Sequence, residues 1–454
     1  MIYLIQYLVK FFLIRPGLPM LAGSLILTVL PAVAQQSIGL KECVELLTKN
    51  NLTYREGMLQ AEAAHANWRQ ARSQQLPQMS LDVGQSVNLG RSIDRFTNAY
   101  IDQLYNSNYV GAGVQVPIFQ GFRMQHQIRQ NQLLKEASLE NTSAVLNLQI
   151  LNMMQAYVQV LASQALHKAA QQQVASSKEQ VHRVQKQVDA GVVGGNALYD
   201  IKAQLSIDTF DEVTALNTYR MARLALFQLL NISPNDTLEL QPLDVPKNVS
   251  GAAMDAETMY TEAQRLFPDI RGAELSRQSF AYQAKAIRAL NLPSLNVATS
   301  LGAFYASTNA NLDYFKQLNA TRNGSLSLGL SIPILGRWQT GPRVESVKVQ
   351  ERLAQNQLDV SKLQLRQAIE QCVLDVTASA ERYQVASEQF EALSASYALV
   401  ESRLNAGTAT LFEYSLSKAN LARAQANAIR SGYEYVMNQK KLRYYQQGNW
   451  NGIL

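Results

Sequence analysis

The chain has 454 residues, of which 17% are charged, well under the roughly 25% of an ordinary soluble domain. Lys and Arg number 41 against 35 for Asp and Glu, and along the sequence the basic residues are scattered, which excludes a nucleic-acid surface. The two cysteines, Cys43 and Cys372, cannot build a disulfide framework, and their spacing matches no zinc or redox motif.

Residues 1–34 carry Lys10, Arg15 and no acid, then an apolar run from Leu18 to Val33 that ends in Ala32-Val33-Ala34. That pattern reads as an export signal cut after Ala34. Gln35 and Gln36 follow, so no cysteine stands at the new end for acylation. No later apolar run reaches about 18 residues, and no membrane-spanning helix is expected.

A first helix is expected from Leu40 up to a strand near Met79. In that strand Leu81, Val83, Val87 and Leu89 alternate with Asp82, Gly84, Ser86 and Asn88, a period of two. A polar loop, Arg91 to Asn106, leads to a second strand with Val110, Ala112, Val114 and Val116 against Gly111, Gly113 and Gln115. Residues 122–190 then contain neither Gly nor Pro, although the chain holds 23 Gly and 12 Pro. Nearly 70 such residues make a helix of about 100 Å. Its Ala-, Gln- and Ser-rich composition lacks a clean heptad of large aliphatics, so helix walls packed on two sides fit better than a dimeric coiled coil. Pro234, Pro242 and Pro246 around Thr237-Leu238-Glu239-Leu240 mark a linker with a short strand. Beyond it come a third strand, Leu295 to Ala306, a polar loop, Ser307 to Arg322, and a fourth strand. In the fourth, Leu326, Leu328, Leu330 and Ile332 oppose Ser325, Ser327, Gly329 and Ser331. A second uninterrupted helix covers residues 343–406.

The two halves are copies. Residues 216 apart align Arg55 with Arg271, Arg72 with Arg288, Leu76-Pro77 with Leu292-Pro293, Pro117-Ile118 with Pro333-Ile334, and Ala190-Gly191 with Ala406-Gly407. The expected organisation is a signal peptide at 1–34, a first repeat at 35–238, a linker at 239–255 and a second repeat at 256–454. Strands of about 10 to 12 residues with one apolar and one small, polar face match a tilted crossing of a bilayer. Four strands cannot close a barrel, since about eight are the fewest known and open edges cannot face lipid. The chain must therefore complete its barrel with copies of itself. Counting helix rise from the strands places Cys43 and Cys372 at one height, which by itself does not bring them within bridging distance.

These residues resemble the TolC-like outer membrane efflux proteins over essentially the whole mature chain. The repeat carries the resemblance, as do the passages Val116-Pro117-Ile118-Phe119 with Gly121 and Ile332-Pro333-Ile334-Leu335 with Gly336. So do the hairpins Asp189-Ala190-Gly191 with Lys202-Ala203-Gln204-Leu205, and Arg403-Leu404-Asn405-Ala406-Gly407 with Lys418-Ala419-Asn420-Leu421. The resemblance implies a mainly α fold with a membrane β-barrel portion. A homotrimer would share twelve strands, four per subunit, above a helical periplasmic tunnel. It implies a tip that meets a periplasmic adaptor, or membrane fusion protein, coupled to an inner-membrane transporter. The tip and aperture residues would be Gly191, Asp200, Arg403, Gly407 and Glu413, and the barrel-to-helix passages Pro117, Gly121, Pro333 and Gly336. The chain departs from the family in two places: Gln187 stands where the second hairpin has Arg403, and Leu416 stands where a second tunnel acid follows Glu413.

No phosphate loop, nucleophile elbow or His pair at ligand spacing is present, so neither a cofactor nor an enzymatic activity is expected. His65, His126, His167 and His182 stand far apart and read as surface residues. Two function classes follow: a passive outer-membrane exit duct for small molecules or proteins, in contact with outer-membrane lipid, or a periplasmic helical scaffold whose strands form a soluble sheet.

Overall fold

A computed structural model describes residues 37–94, 96–233, 239–246, 255–450 and 452–453. The export signal expected at 1–34 lies outside them. The described chain alternates short strands with long helices. Strand β1 (Ser37–Ile38) leads into α1 (Leu40–Asn50) and α2 (Leu52–Ser73), then β2 (Gln78–Asn88) and a small hairpin of β3 (Arg91–Ile93) and β4 (Tyr100–Asp102). Strand β5 (Tyr105–Gln120) returns into α3 (Arg123–Asp189), and α4 (Gly195–Leu230) runs back along it. Strand β6 (Glu239–Leu240) follows, and the second half comprises α5 (Ala256–Leu266), α6 (Pro268–Arg288), β7 (Ser294–Ala306), α7 (Tyr314–Ala320), β8 (Asn323–Ser331), α8 (Arg337–Asn405) and α9 (Leu411–Gln447).

The long helices fall where glycine and proline are missing, 67 residues in α3 and 69 in α8. Helix α8 starts six residues before the uninterrupted stretch and takes in Pro342 near its beginning, where few intrahelical hydrogen bonds are lost. The first helix differs from expectation, because it breaks in two at Asn51. That side chain accepts a hydrogen bond from Tyr54 N (3.0 Å) and so caps α2, while its amide donates to Leu229 O (3.1 Å) on α4. The two polar loops also hold structure of their own, the β3–β4 hairpin and α7, in which Asp313 caps the helix by accepting from Lys316 N at 2.8 Å.

Four strands form one antiparallel sheet in the order β2-β5-β7-β8, so the two halves meet at β5–β7 and the outer strands keep one edge each without a partner among the described residues. Helix α3 packs on α2 and α6 near the sheet and on α4 and α9 farther away, and α8 packs on α6 and then α9. Helices α4 and α8 thereby lie at the two edges of the lower helical layer. The main core gathers where the copies cross: Leu47, Met153, Tyr157, Leu226, Ile369 and Tyr445 are buried together there. Both cysteines lie buried in this same core, unbridged. Part of the expected linker strand is seen as β6, which pairs in parallel with β1, and the Tyr157 hydroxyl lies 2.7 Å from Gln241 O beside it.

Candidate functional site

The pairing register lines up one face of the sheet. Leu81 sits opposite Ala112, Ala112 opposite Leu301, and the neighbouring rows run Val83, Val110, Ala303 and Met79, Val114, Thr299, Leu326. Directly opposed residues point to the same side, so this face is apolar across all four strands. The third strand, whose own alternation is weak, takes its sides from its neighbours. The other face carries Ser80, Asp82, Gly113, Ser300, Ser325 and Ser327, small and hydrophilic. Leu81 is 72% exposed and Leu326 80%, a cost in water that a hydrocarbon surround removes. Among the described residues no helix is long and apolar enough to cross a membrane.

The strands run into the helices around Pro117, Gly121, Pro333 and Gly336. Pro117 sits in β5 at a register shift, and Gly121, with φ +58°, is followed by Phe122 at φ +65°, which turns the strand into α3. A Cβ at Gly121 would meet Leu292 Cβ at 2.6 Å and Ala289 O at 2.8 Å, so the chains pass here only without a side chain. Pro333 follows β8, and Gly336 is the N-cap of α8.

At the far end the two hairpin turns share one geometry. Gly191, φ +73°, donates its N–H to Val188 O, and Val192 N donates to Gln187 O. Gly407, φ +75°, donates to Leu404 O, and Thr408 N to Arg403 O. Both are Schellman closures, and in both a left-handed glycine stops a helix of nearly seventy residues. In the second turn Arg403 Nη2 donates to Thr408 O (3.1 Å) and lies 3.8 Å from Glu413 Oε2. Glu413 in turn accepts from Thr410 N (3.4 Å) while Thr410 Oγ1 accepts from Glu413 N (3.2 Å), a capping box at the start of α9. Asp200 lies on the exposed side of α4 in the other hairpin. A small core of Val184, Ile201 and Tyr414 holds the two hairpins together near the tip.

The strongest electrostatic feature between the hairpins escapes the sequence. Lys418 on α9 is 1% exposed, with Nζ 2.8 Å from Asp208 Oδ2 on α4 and 3.2 Å from Gln173 O on α3, and it also donates to Ser177 Oγ. Gln204 Nε2 donates to the other Asp208 oxygen at 2.9 Å. Burial pulls the Lys418 ammonium below its ordinary range, and the Asp208 hydrogen bond and charge oppose that pull. The equivalent residue of the first copy, Lys202, is exposed, so the Lys-Ala motif alone carries no sign of this role.

The histidines are only partly surface residues. His65 and His182 are exposed, but His126 is half-buried near Tyr282 and His167 stacks on Tyr219 at 6.3 Å between ring centres. Among the described residues no group of His, Cys, Asp and Glu could hold a metal ion.

A four-stranded sheet with one lipid-suited face, continuous with hairpins of this length, defines the subunit of an outer-membrane channel. The sequence profile of the outer membrane efflux protein family matches residues 44–231 and 259–445. The chain belongs to that family, and it is an outer-membrane exit duct for efflux or secretion. It is 22% identical over 417 residues to the outer membrane protein TolC of Salmonella enteritidis, covering 90% of this chain and 82% of that protein. Among solved structures it resembles the outer-membrane channel OprN, with TM-score 0.75, 19% identity and 90% of both chains covered. It also resembles the outer membrane protein VceC of Vibrio cholerae, with TM-score 0.76, 12% identity, and 91% of this chain and 97% of that one covered.

Proposed function

We propose that three copies of the chain close one twelve-stranded barrel and stack their hairpins into a tunnel that conducts cargo passively out of the periplasm. The observation that carries this reading is the sheet itself: its apolar face is continuous across four strands, yet among the described residues β2 and β8 each keep an unpaired edge. Lipid does not tolerate such edges, and β8 of one copy pairing with β2 of the next removes them all. The edge helices α4 and α8 support the same head-to-tail arrangement below the membrane.

In this reading the energy comes from an inner-membrane transporter, and a periplasmic adaptor meets the tip at Gly191, Asp200, Arg403, Gly407 and Glu413. Glu413 serves there as a brace, already engaged by Thr410 and Arg403. Pro117, Gly121, Pro333 and Gly336 form the passages from barrel to tunnel. The repeats span 35–238 and 256–454 about a linker at 239–255, after an export signal at 1–34. The channel needs no cofactor and performs no catalysis. A water-soluble periplasmic scaffold is disfavoured by the exposed row of Leu81, Val83, Leu326 and Leu328.

Light scattering in detergent tests the reading. A protein mass near three chains is expected, together with ion conductance in planar bilayers. A monodisperse monomer that still conducts, or a chain that is stable and monomeric without detergent, overturns it.

A further inference from the structure

Where the four sheet-linked helices reach the membrane, the scattered basic residues come together. Helices α2 and α6 end with Arg69, Arg72, Lys285 and Arg288, and α3 and α8 begin with Arg123, Arg129, Arg337 and Arg343. At about 1.5 Å of rise per residue, all eight lie within about 10 Å of a helix end at the sheet. The same spans and the turns that join them to the strands, residues 69–77, 121–129, 285–293 and 332–343, contain no Asp or Glu. That segregation is unlike the chain as a whole, where 35 acids accompany 41 bases. In the single copy seven of the eight are exposed and Arg123 is half-buried, and among the described residues none of them pairs with a carboxylate.

Helix stability does not account for the pattern. Cations suit the C-terminal ends of α2 and α6, but at the start of α3 and α8 they face the positive end of the helix dipole, and neither first turn holds an acid to offset it. A second feature occupies the same level. In the single copy Ile334 is 90% exposed and Trp338 83%, with Leu335 also exposed, at the α8 edge that the neighbouring copy would partly cover, and Phe122, away from that edge at the start of α3, is exposed beside Arg123. Large apolar side chains ill suit a water-filled lumen, whereas Trp beside Arg is the composition of a membrane–water interface.

We propose that this level is a cationic collar that binds the anionic phospholipid headgroups of the periplasmic leaflet and sets the depth of the channel in the membrane. The inference rests on the barrel reading, because it needs the sheet in the bilayer and the helices below it. The apolar residues would enter the acyl boundary, and the arginines would meet phosphate oxygens just beneath, through paired N–H groups. With eight cations per copy, three copies would ring the channel with twenty-four.

The test uses the full mature chain reconstituted in an equal mixture of phosphatidylethanolamine and phosphatidylglycerol, extracted gently, with its retained lipids measured by native mass spectrometry. Each Lys or Arg near an anionic surface contributes enough for roughly fivefold, so retained phosphatidylglycerol should exceed phosphatidylethanolamine by at least about fivefold. The variant Arg72→Gln/Arg288→Gln/Arg337→Gln/Arg343→Gln should insert and assemble as before and lose most of that preference. Insertion without lipid preference, or a preference that survives in the variant, overturns the collar alone. A variant that changes ion selectivity but not lipid retention places the cations on the lumen and also overturns it. Failure of the unaltered chain to insert in any bilayer overturns the barrel reading, and the collar with it.

Discussion

Lys418 and Asp208 meet at 2.8 Å in a site where the lysine is almost wholly enclosed, and they belong to different copies of the repeat. The pair is therefore an internal bolt between the first hairpin and α9, placed between the main core and the tip. Ser177, Gln173 and Gln204 supply the remaining hydrogen bonds, which is the condition for a buried ion pair to be tolerated at all.

Removing one partner should cost far more than removing both. Lys418→Met strands Asp208 in a low-dielectric site and should destabilise the hairpin pair by about 3–5 kcal/mol, while Lys418→Met/Asp208→Leu should recover most of that loss. Hydrogen exchange across α3, α4 and α9 measures it. Equal protection in the single and double variants would show that the pair does not bind the hairpins together.

The tip glycines should respond to backbone geometry rather than to crowding. Among the described residues nothing lies within 4 Å of a Cβ built at Gly191 or Gly407, but both glycines occupy the left-handed region, which costs an L-residue about 1–2 kcal/mol. Asn at either position should be nearly silent, and Val, branched at Cβ, should loosen the turn and reduce efflux. Limited proteolysis at the tip separates the two outcomes, and equal resistance of the Asn and Val variants would contradict this account.

Thr410 and Glu413 should separate by side-chain chemistry. Thr410→Ala removes an N-cap worth about 1 kcal/mol, whereas Glu413→Gln preserves a capping box, because Gln reaches the same N–H. If bracing is the role of Glu413, Glu413→Gln leaves single-channel conductance and its sensitivity to divalent cations unchanged. A marked loss of cation block would instead assign that carboxylate to the aperture.

Cys43 and Cys372 should be chemically silent in the folded protein. Burial pushes the Cys43 thiol up to about 12 and the Cys372 thiol up to about 11, so at pH 8 both are thiols rather than the reactive thiolates. Iodoacetamide should modify neither until denaturant is added, when it should modify both. Reductant should leave the electrophoretic mobility unchanged, and rapid labelling of the native channel at pH 8 would contradict the placement of these residues in the core.

What could be read from the sequence was local. The long helices are spelled out by missing Gly and Pro, the turns by Gly191 and Gly407, and the membrane strands by a period of two. What could not be read depends on partners far along the chain. Asn51 looks like any polar residue in a helix until Leu229, 178 positions away, takes its amide hydrogen bond. Lys202 and Lys418 occupy equivalent motifs, yet one is exposed and the other sealed against Asp208. The eight cations of the collar are scattered in sequence because four separate helix ends bring them to one level. The third strand was the faintest for the same reason: Val297, Thr299 and Leu301 acquire a common face only through their neighbours' register.

The β5–β7 junction has a consequence for biogenesis. Ser107 pairs with Ala306, so the centre of the sheet cannot form until both halves of the polypeptide have crossed the inner membrane, whereas each helix needs only contacts along its own length. Until then the apolar side chains are divided between two separate strand pairs, β2–β5 and β7–β8, instead of presenting one adhesive sheet. The most aggregation-prone surface of the molecule is thus assembled late, which favours its completion close to the bilayer that will cover it.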